Sequence, residues 1–508
     1  MPSSFAQLSA VSSVNSWANQ PTTAVGSEKD ILAILPIYGL GDYGFGLASD
    51  IDEVVGSAVL SSALEALDSS STLRILPPLR LGLSPYHNSF GRTDPDSLLS
   101  ALDEIAGGVA KSGTTNLLFW TTSPWNPELV DTASRDIRIA HSLHTYVIDS
   151  RGISLSFHPA SPDRARTQAL ASHLCELQPT AFQSNQPTDV DFRPGNWSKI
   201  PPVLDATTAT PSAILAASAK LLAELLSEVV SQFTTCTPAL INAVSDSVSP
   251  TPKPYPVGRR NRYLPALSRE QLITLENKAS ILVVIPIGAI EQHGPHLPVG
   301  VDAMIAESAA HGLSARSTKE VWFGPTLPFG KSNEHEGFAG TLSFSAQSLR
   351  RIIKTLVGNL HAEGFRQFAF LNTHGGNSSV LTYTLRELQQ EFKIRAGMLR
   401  LKATEELNLQ ERTWGFHAGE WETSVMLAIA PDTVIMDRAI CHYPVSLDAP
   451  GQLRPENAPA THSWITRDIA PEGVMGDATK ATADKGQRWL DSALDQMAEQ
   501  IRLLLQRD

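Results

Sequence analysis

Short apolar, β-branched runs recur at two widely separated places in the chain. Ile281–Ile285 reads ILVVI and is broken by Pro286 and Gly288. Its length and branching predict a strand buried on both faces, as in a parallel sheet. Ile31–Ile37 has the same form. When 31–52 is laid under 281–302 without a gap, Ile31, Leu32, Pro36, Ile37, Gly44, Leu47 and Asp52 fall on identical residues. Gly113–Asn126 and Gly364–Asn377 repeat a second pattern of glycine, apolar strand and a loop ending in Asn. Asp205-ATTAT before a helix around Leu215–Val229 echoes Asp477-ATKAT before a helix around Lys485–Leu505. Three matches in the same order predict two copies of one unit.

Within the second copy, helical and strand periods alternate. Asp302–Arg316 predicts a helix. So does Ser345–Glu363, with apolar Leu349, Ile352, Ile353, Leu356, Val357 and Leu360 on one face and Ser345 as cap. Phe368–Leu371 predicts a strand and Ser379–Phe392 a helix. The expected fold class is therefore α/β, two units with mainly parallel sheets covered by helices. The expected division is a polar tail at 1–28, a first unit at 29–245, a Pro-rich linker at 246–261 and a second unit at 262–508. Arg259, Arg260 and Arg262 read as a solvated basic patch.

The bulk composition removes some function classes. The chain has 508 residues, is 42% apolar and carries a net charge of −12. That balance argues against a nucleic-acid or anionic-membrane partner, which needs a basic face. No apolar run reaches the ~20 residues of a membrane span. Cys175, Cys236 and Cys441 form no CxxC pair, so a reducing cytoplasm is the expected location. The first residues lack the basic and apolar regions of a secretory signal.

Candidate chemistry collects in the second copy. Glu291, His293, His296 and Asp302 follow a strand end within a dozen residues, and carboxylates with imidazole suit Zn²⁺ or Mn²⁺. His374 opens HGGN after the next strand. Gly375 and Gly376 let the backbone approach a ligand, and Asn377 can hydrogen-bond a carbonyl. Ligands in such sheets gather outside the carboxyl ends of strands, so these groups are expected to share one site. His417, Glu420 and Glu422 stand at the entry to an apolar helix, Val425–Ile429. They read either as charges suited to a helix start or as a catalytic wall in which His417 gives a proton to a leaving amine. Trp414, Phe416 and Trp421 read equally as a platform for a flat substrate or as core. Glu334 and His335 read as the mouth of the site or as a solvated loop. In the first copy Gly41 faces Glu291, Tyr43 faces His293 and Ser123 faces His374. Only Asp52 keeps a ligand-type side chain, so the first copy is expected to be non-catalytic.

GAIEQHGPHLPVGVD, NEHEGFAGT, LNTHGGN, HAGEWETS and GVMGDATKATADKG, in this order, resemble the creatininase (creatinine amidohydrolase) family from about Arg262 onward. The resemblance implies a three-layer α/β/α unit, often assembled as a hexamer of dimers, here equivalent to a trimer of tandem chains. It implies hydrolysis of a cyclic amide or formamide, with peptide-cleaving relatives. By position, Glu291, Asp302 and His374 would hold one ion, and Asp302 would bridge to a second held by His293. Glu422 would be a ligand or would orient the attacking water, and His417 would shuttle the proton. One position departs: creatininase carries a carboxylate two residues after its metal-binding His, where this chain has Gly376, as do other members. The expectation is a metal-dependent amidohydrolase using one or two Zn, Mn or Fe ions on a small-molecule amide. The alternatives are a metallopeptidase and a non-catalytic binding or scaffold protein.

Overall fold

The computed structural model describes residues 15–27, 30–43, 47–67, 72–85, 89–158, 161–176, 209–234, 262–401, 406–443, 453–454, 460–461 and 463–506. The Pro-rich linker, residues 205–208 and Cys236 lie outside these; Cys441 is a free, exposed thiol.

Two four-stranded sheets, parallel throughout, form the frame. In the first, β1 (Leu32–Ile37) is flanked by β2 (Leu73–Ile75) and β3 (Asn116–Thr121), with β4 (His144–Asp149) outermost. In the second, β5 (Leu282–Ile287), β6 (Val321–Phe323), β7 (Gln367–Asn372) and β8 (Arg395–Arg400) take the same places, in the order β6-β5-β7-β8. The registers agree as well: Leu32 pairs with Asn116 and Leu73, and Leu282 with Gln367 and Val321. The expected repeat is thus a repeat of topology.

All six residues of β1 and of β5 are buried. On β1, Ala33, Leu35 and Ile37 join one core while Leu32 and Ile34 join another, because successive side chains leave a strand on opposite faces. Helices Ile51–Glu65, Arg164–Glu176 and Pro211–Ser231 pack with one another on the second core, and Pro95–Lys111 and Pro127–His141 lie on the first. This makes three layers. In the second unit Val301–Arg316, Glu420–Ile429 and Ala483–Leu505 pack together, as do Ala346–Ala362 and Asn377–Phe392. Ser345 caps its helix by accepting from the Ser348 N–H at 3.1 Å, as its position predicts.

The first core continues without a break into the second unit, and helix Pro95–Lys111 meets helix Ala346–Ala362 across the join. Residues 15–27 correct one expectation. They are not part of a loose tail: Trp17, Ala18 and Val25 are buried in that shared core.

Candidate metal centre

In the order β6-β5-β7-β8 the chain leaves β5 toward one edge and β7 toward the other, so a crevice opens beyond their carboxyl ends. Two loops enter it. After β5, Glu291 is fixed by its N–H to the Val299 carbonyl at 2.8 Å, and Gly300 starts the helix that carries Asp302. After β7, His374 follows directly. A third loop, ahead of helix Glu420–Ile429, supplies His417 and Glu422. It turns at Ala418, whose φ of 55° is a left-handed conformation uncommon outside glycine.

These side chains converge. His293 Nε2 lies 3.7 Å from Asp302 Oδ1, 3.8 Å from Glu422 Oε2 and 4.0 Å from Glu291 Oε1. His374 Nδ1 lies 3.3 Å from both Glu291 Oε1 and Asp302 Oδ2. His417 Nδ1 is 3.6 Å from Glu291 Oε1. Among the described residues, the groups with ligand atoms within 4.8 Å of one another are Glu291–His335–His417, His293–His417–Glu422 and Glu291–His293–Asp302. All belong to the second unit.

The outer ring atoms of the histidines are already bonded. His293 Nδ1 lies 3.0 Å from the Glu291 carbonyl, His374 Nε2 2.8 Å from that of Lys331, and His417 Nε2 2.8 Å from that of Gln292. A ring nitrogen that donates to a carbonyl leaves the opposite nitrogen with a lone pair, here turned inward, as metal-binding histidines are held. Glu291 Oε2, His293 Nε2 and Asp302 Oδ2 are buried with no hydrogen-bond partner. Buried polar atoms are ordinarily paired, so this inward-facing donor set fits a divalent cation.

Without a cation the carboxylates and imidazoles compensate one another. Burial opposes the imidazolium of His293, but Asp302, Glu422 and Glu291 outweigh it and raise its pKa to about 9. Burial opposes ionised Asp302 also, yet His293 and His374 hold it below the usual carboxylate range. Burial lifts Glu422 to about 7 and keeps His417 and His335 neutral well below their ordinary value.

The other expected site residues take the following places. His335 is buried rather than at a mouth, with Nε2 3.4 Å from Glu291 Oε1 and Nδ1 held by Gln292 and Thr466. Asn377 bonds a carbonyl, as its residue type allows: its Nδ2 donates to the Gly288 carbonyl, and its Oδ1 accepts from the Lys331 N–H. A side chain at Gly376 would meet Glu334 Oε1, the Lys331 carbonyl and His374 Nε2, whereas Gly375 faces open space. Glu334 Oε1 is 3.8 Å from His374 Nε2, on the outer side of that ring. Trp414 is buried and Trp421 packs against the core. His296, also in the first loop, bonds Thr423 and remains a core histidine.

Two residues went unread in the sequence. Gln292 Nε2 lies 2.8 Å from His335 Nδ1 and 3.0 Å from His417 Nε2, and its Oε1 accepts from the Gly294 N–H. Gly473, at φ 78°, has no room for a side chain against that amide. Glu411 is buried and accepts from the Glu420 N–H at 2.8 Å, the Asp477 N–H at 3.0 Å and the Tyr443 hydroxyl at 2.7 Å. It thereby fixes the start of the helix that bears Glu422. An isolated Gln or Glu in sequence carries no sign of such partners.

Comparison with known proteins gives this site its context. The family model described as creatinine amidohydrolase matches residues 266–501. The mycofactocin precursor peptide peptidase of Mycolicibacterium smegmatis is 31% identical over 225 residues, 44% of this chain and 84% of that protein. The creatinine amidohydrolase of Pseudomonas putida is 30% identical over 241 residues, 44% of this chain and 88% of that protein. The chain belongs to the creatininase family. It is a hydrolase of that family. A solved creatininase structure aligns with 49% of this chain and 99% of its own length, at 21% identity and a TM-score of 0.41. Solved creatininases include a Zn–Zn type and a Mn form. The match to the creatininase family begins after the first unit, and among the described residues no helix is long and apolar enough to cross a membrane.

Proposed function

We propose that the second unit is a metal-dependent amidohydrolase that cleaves a C–N amide bond of a small molecule. The observation that carries this reading is the ring of buried, inward-turned ligand atoms without a hydrogen-bond partner on Glu291, His293 and Asp302, with His374 and Glu422 closing it. Glu291, His293, Asp302, His374 and Glu422 would hold one or two divalent ions, with zinc, manganese and iron all compatible with mixed carboxylate and imidazole donors. Bound there, a divalent ion supplies a Lewis acid for the amide carbonyl and lowers the pKa of water.

The chain's own residues do the rest. Glu422, whose carboxyl pKa is raised by burial in the ion-free site, completes the ligand set or orients and deprotonates the attacking water. His417 is neutral and anchored through Nε2, so Nδ1 is the atom that carries the water's proton to the departing nitrogen. His335 holds Glu291, and the Gln292 backbone carbonyl holds His417. Gly375 lies open to substrate.

Creatinine amidohydrolase and peptide peptidase are both names of relatives, so a metallopeptidase trimming a small peptide is the second reading. The first unit, with Gly41, Tyr43 and Ser123 at the ligand positions, serves as a non-catalytic partner. The same reading assigns a cytoplasmic enzyme assembled as a trimer of tandem chains, which sedimentation would measure. The deciding experiment measures metal content and hydrolysis of cyclic amides, formamides and short peptides by the wild type, Glu291→Ala and His374→Ala. Stoichiometric metal and turnover in the wild type, both lost in the variants, is the expected result. Full turnover by metal-free protein would refute the reading.

A further inference from the structure

Each unit sends an arm across the join to the other. The first arm is rooted on its own sheet, where Ser16 bridges Ile75 of β2 and the Ile75 N–H donates to the Asn15 carbonyl at 2.7 Å. It then reaches the second unit. The Ala18 carbonyl accepts from the Gly300 N–H at 2.8 Å and the Gln20 carbonyl from the Val299 N–H at 2.9 Å. Trp17 Nε1 donates to the Gly340 carbonyl at 3.1 Å and Thr22 Oγ1 to that of Ala339 at 2.5 Å. The second arm repeats the path in reverse. Tyr263 bridges Phe323 of β6, while the Pro265 and Leu267 carbonyls accept from the N–H groups of Asp50 and Ser49. Asp50 precedes the helix that carries Asp52, as Gly300 precedes the helix that carries Asp302.

The first arm lands on both segments that hold the metal-centre loop. Val299, which it grips by the N–H, accepts through its carbonyl from the N–H of Glu291. The 339–342 segment, which it grips by two carbonyls, donates from the Leu342 N–H to the Ile290 carbonyl, and its Thr341 Oγ1 accepts from the Gln292 N–H. A side chain at Gly300 would collide with Ala18, so arm and helix start are in direct contact.

We propose that Trp17 and Thr22 are positioning residues for the metal centre: the arm of the first unit sets the spacing of Glu291 and Asp302 in the second. The centre is then complete only in the presence of the first unit, although that unit contributes no ligand. This inference rests on the metal reading above. It is specific to one arm, because the opposite arm clamps a loop that has lost its ligands.

The test uses the full chain. Trp17→Phe combined with Thr22→Val keeps an aromatic ring at 17 and a β-branched side chain at 22, and removes both side-chain donors to the 339–340 carbonyls. Leu267→Ala, on the opposite arm, is the control. Apo protein is titrated with Co²⁺, following the visible d–d bands and the dissociation constant by competition, with melting temperature recorded in parallel. The double variant should bind Co²⁺ about tenfold more weakly, as expected for the loss of one buried and one partly buried hydrogen bond, with shifted bands. Leu267→Ala should melt earlier and keep the wild-type spectrum. Wild-type affinity and bands in the double variant would overturn the inference and leave the metal reading intact. A wild-type chain that takes up no Co²⁺ would overturn both.

Discussion

Glu411 offers the sharpest measurement of how the third loop is held. Its carboxylate accepts from the buried N–H groups of Glu420 and Asp477 and from the hydroxyl of the partly exposed Tyr443. Side chains at Gly415, Gly419 or Gly476 would all meet its Oε1, so the group sits in a cradle of three glycines. Glu411→Ala leaves two buried amides without an acceptor, at about 1–3 kcal/mol each. The expected loss is therefore about 4 kcal/mol, a large part of the roughly 5–15 kcal/mol that holds a domain together. Glu411→Gln keeps one accepting oxygen and should lose about half as much. Urea unfolding followed by tryptophan fluorescence gives the magnitudes, and hydrogen exchange gives the place. Faster exchange should be confined to His417–Ile429 and the neighbouring Asp477. If both variants came within about 1 kcal/mol of the wild type, or if Ala and Gln were indistinguishable, Glu411 would not be the tie described here.

Other perturbations probe the rest of the molecule. Saturating apo protein with Zn²⁺ at a hundred times its dissociation constant should add about 2.7 kcal/mol of stability by mass action. Glu291→Gln should abolish that increment, and because burial raises the pKa of Glu291 it should also stabilise the apo form at neutral pH; calorimetry with and without chelator checks both. Burial raises Asp52 to about 7, against an unfolded value of about 3.9. Its favourable contribution is complete below the unfolded value and is lost as pH rises through about 7. Asp52→Asn should therefore gain on the wild type between pH 5 and 8, by on the order of 4 kcal/mol at most, and a difference independent of pH in urea titrations would contradict this. Arg80 pairs through Nε and Nη2 with buried Glu53 at 2.9 and 2.7 Å and donates to the Thr326 carbonyl of the other unit at 3.3 Å. Arg80→Met should cost about 3–5 kcal/mol, most of it recovered when Glu53→Gln is added, as a double-mutant cycle would measure.

Much of this protein is written locally. The runs Ile31–Ile37 and Ile281–Ile285 mark the central strands because a doubly covered parallel strand must be apolar at every position. Ser345 marks a helix start because its hydroxyl meets an amide three residues on. Glu291, His293, Asp302 and His374 stand just past strand ends, and the crevice of a parallel sheet lies there. Tertiary structure alone decided the remainder. Residues 15–27 look like a polar tail because the surface that buries Trp17 comes from the other unit. His335 looks like a residue of an open mouth or a solvated loop, yet it is buried against Glu291. Glu411 shows no sign of its role, since its partners include Asp477, which is distant in the chain. Burial patterns have a period that a sequence displays. A hydrogen bond between distant segments has none, so it becomes visible only when the chain has folded and the two segments meet.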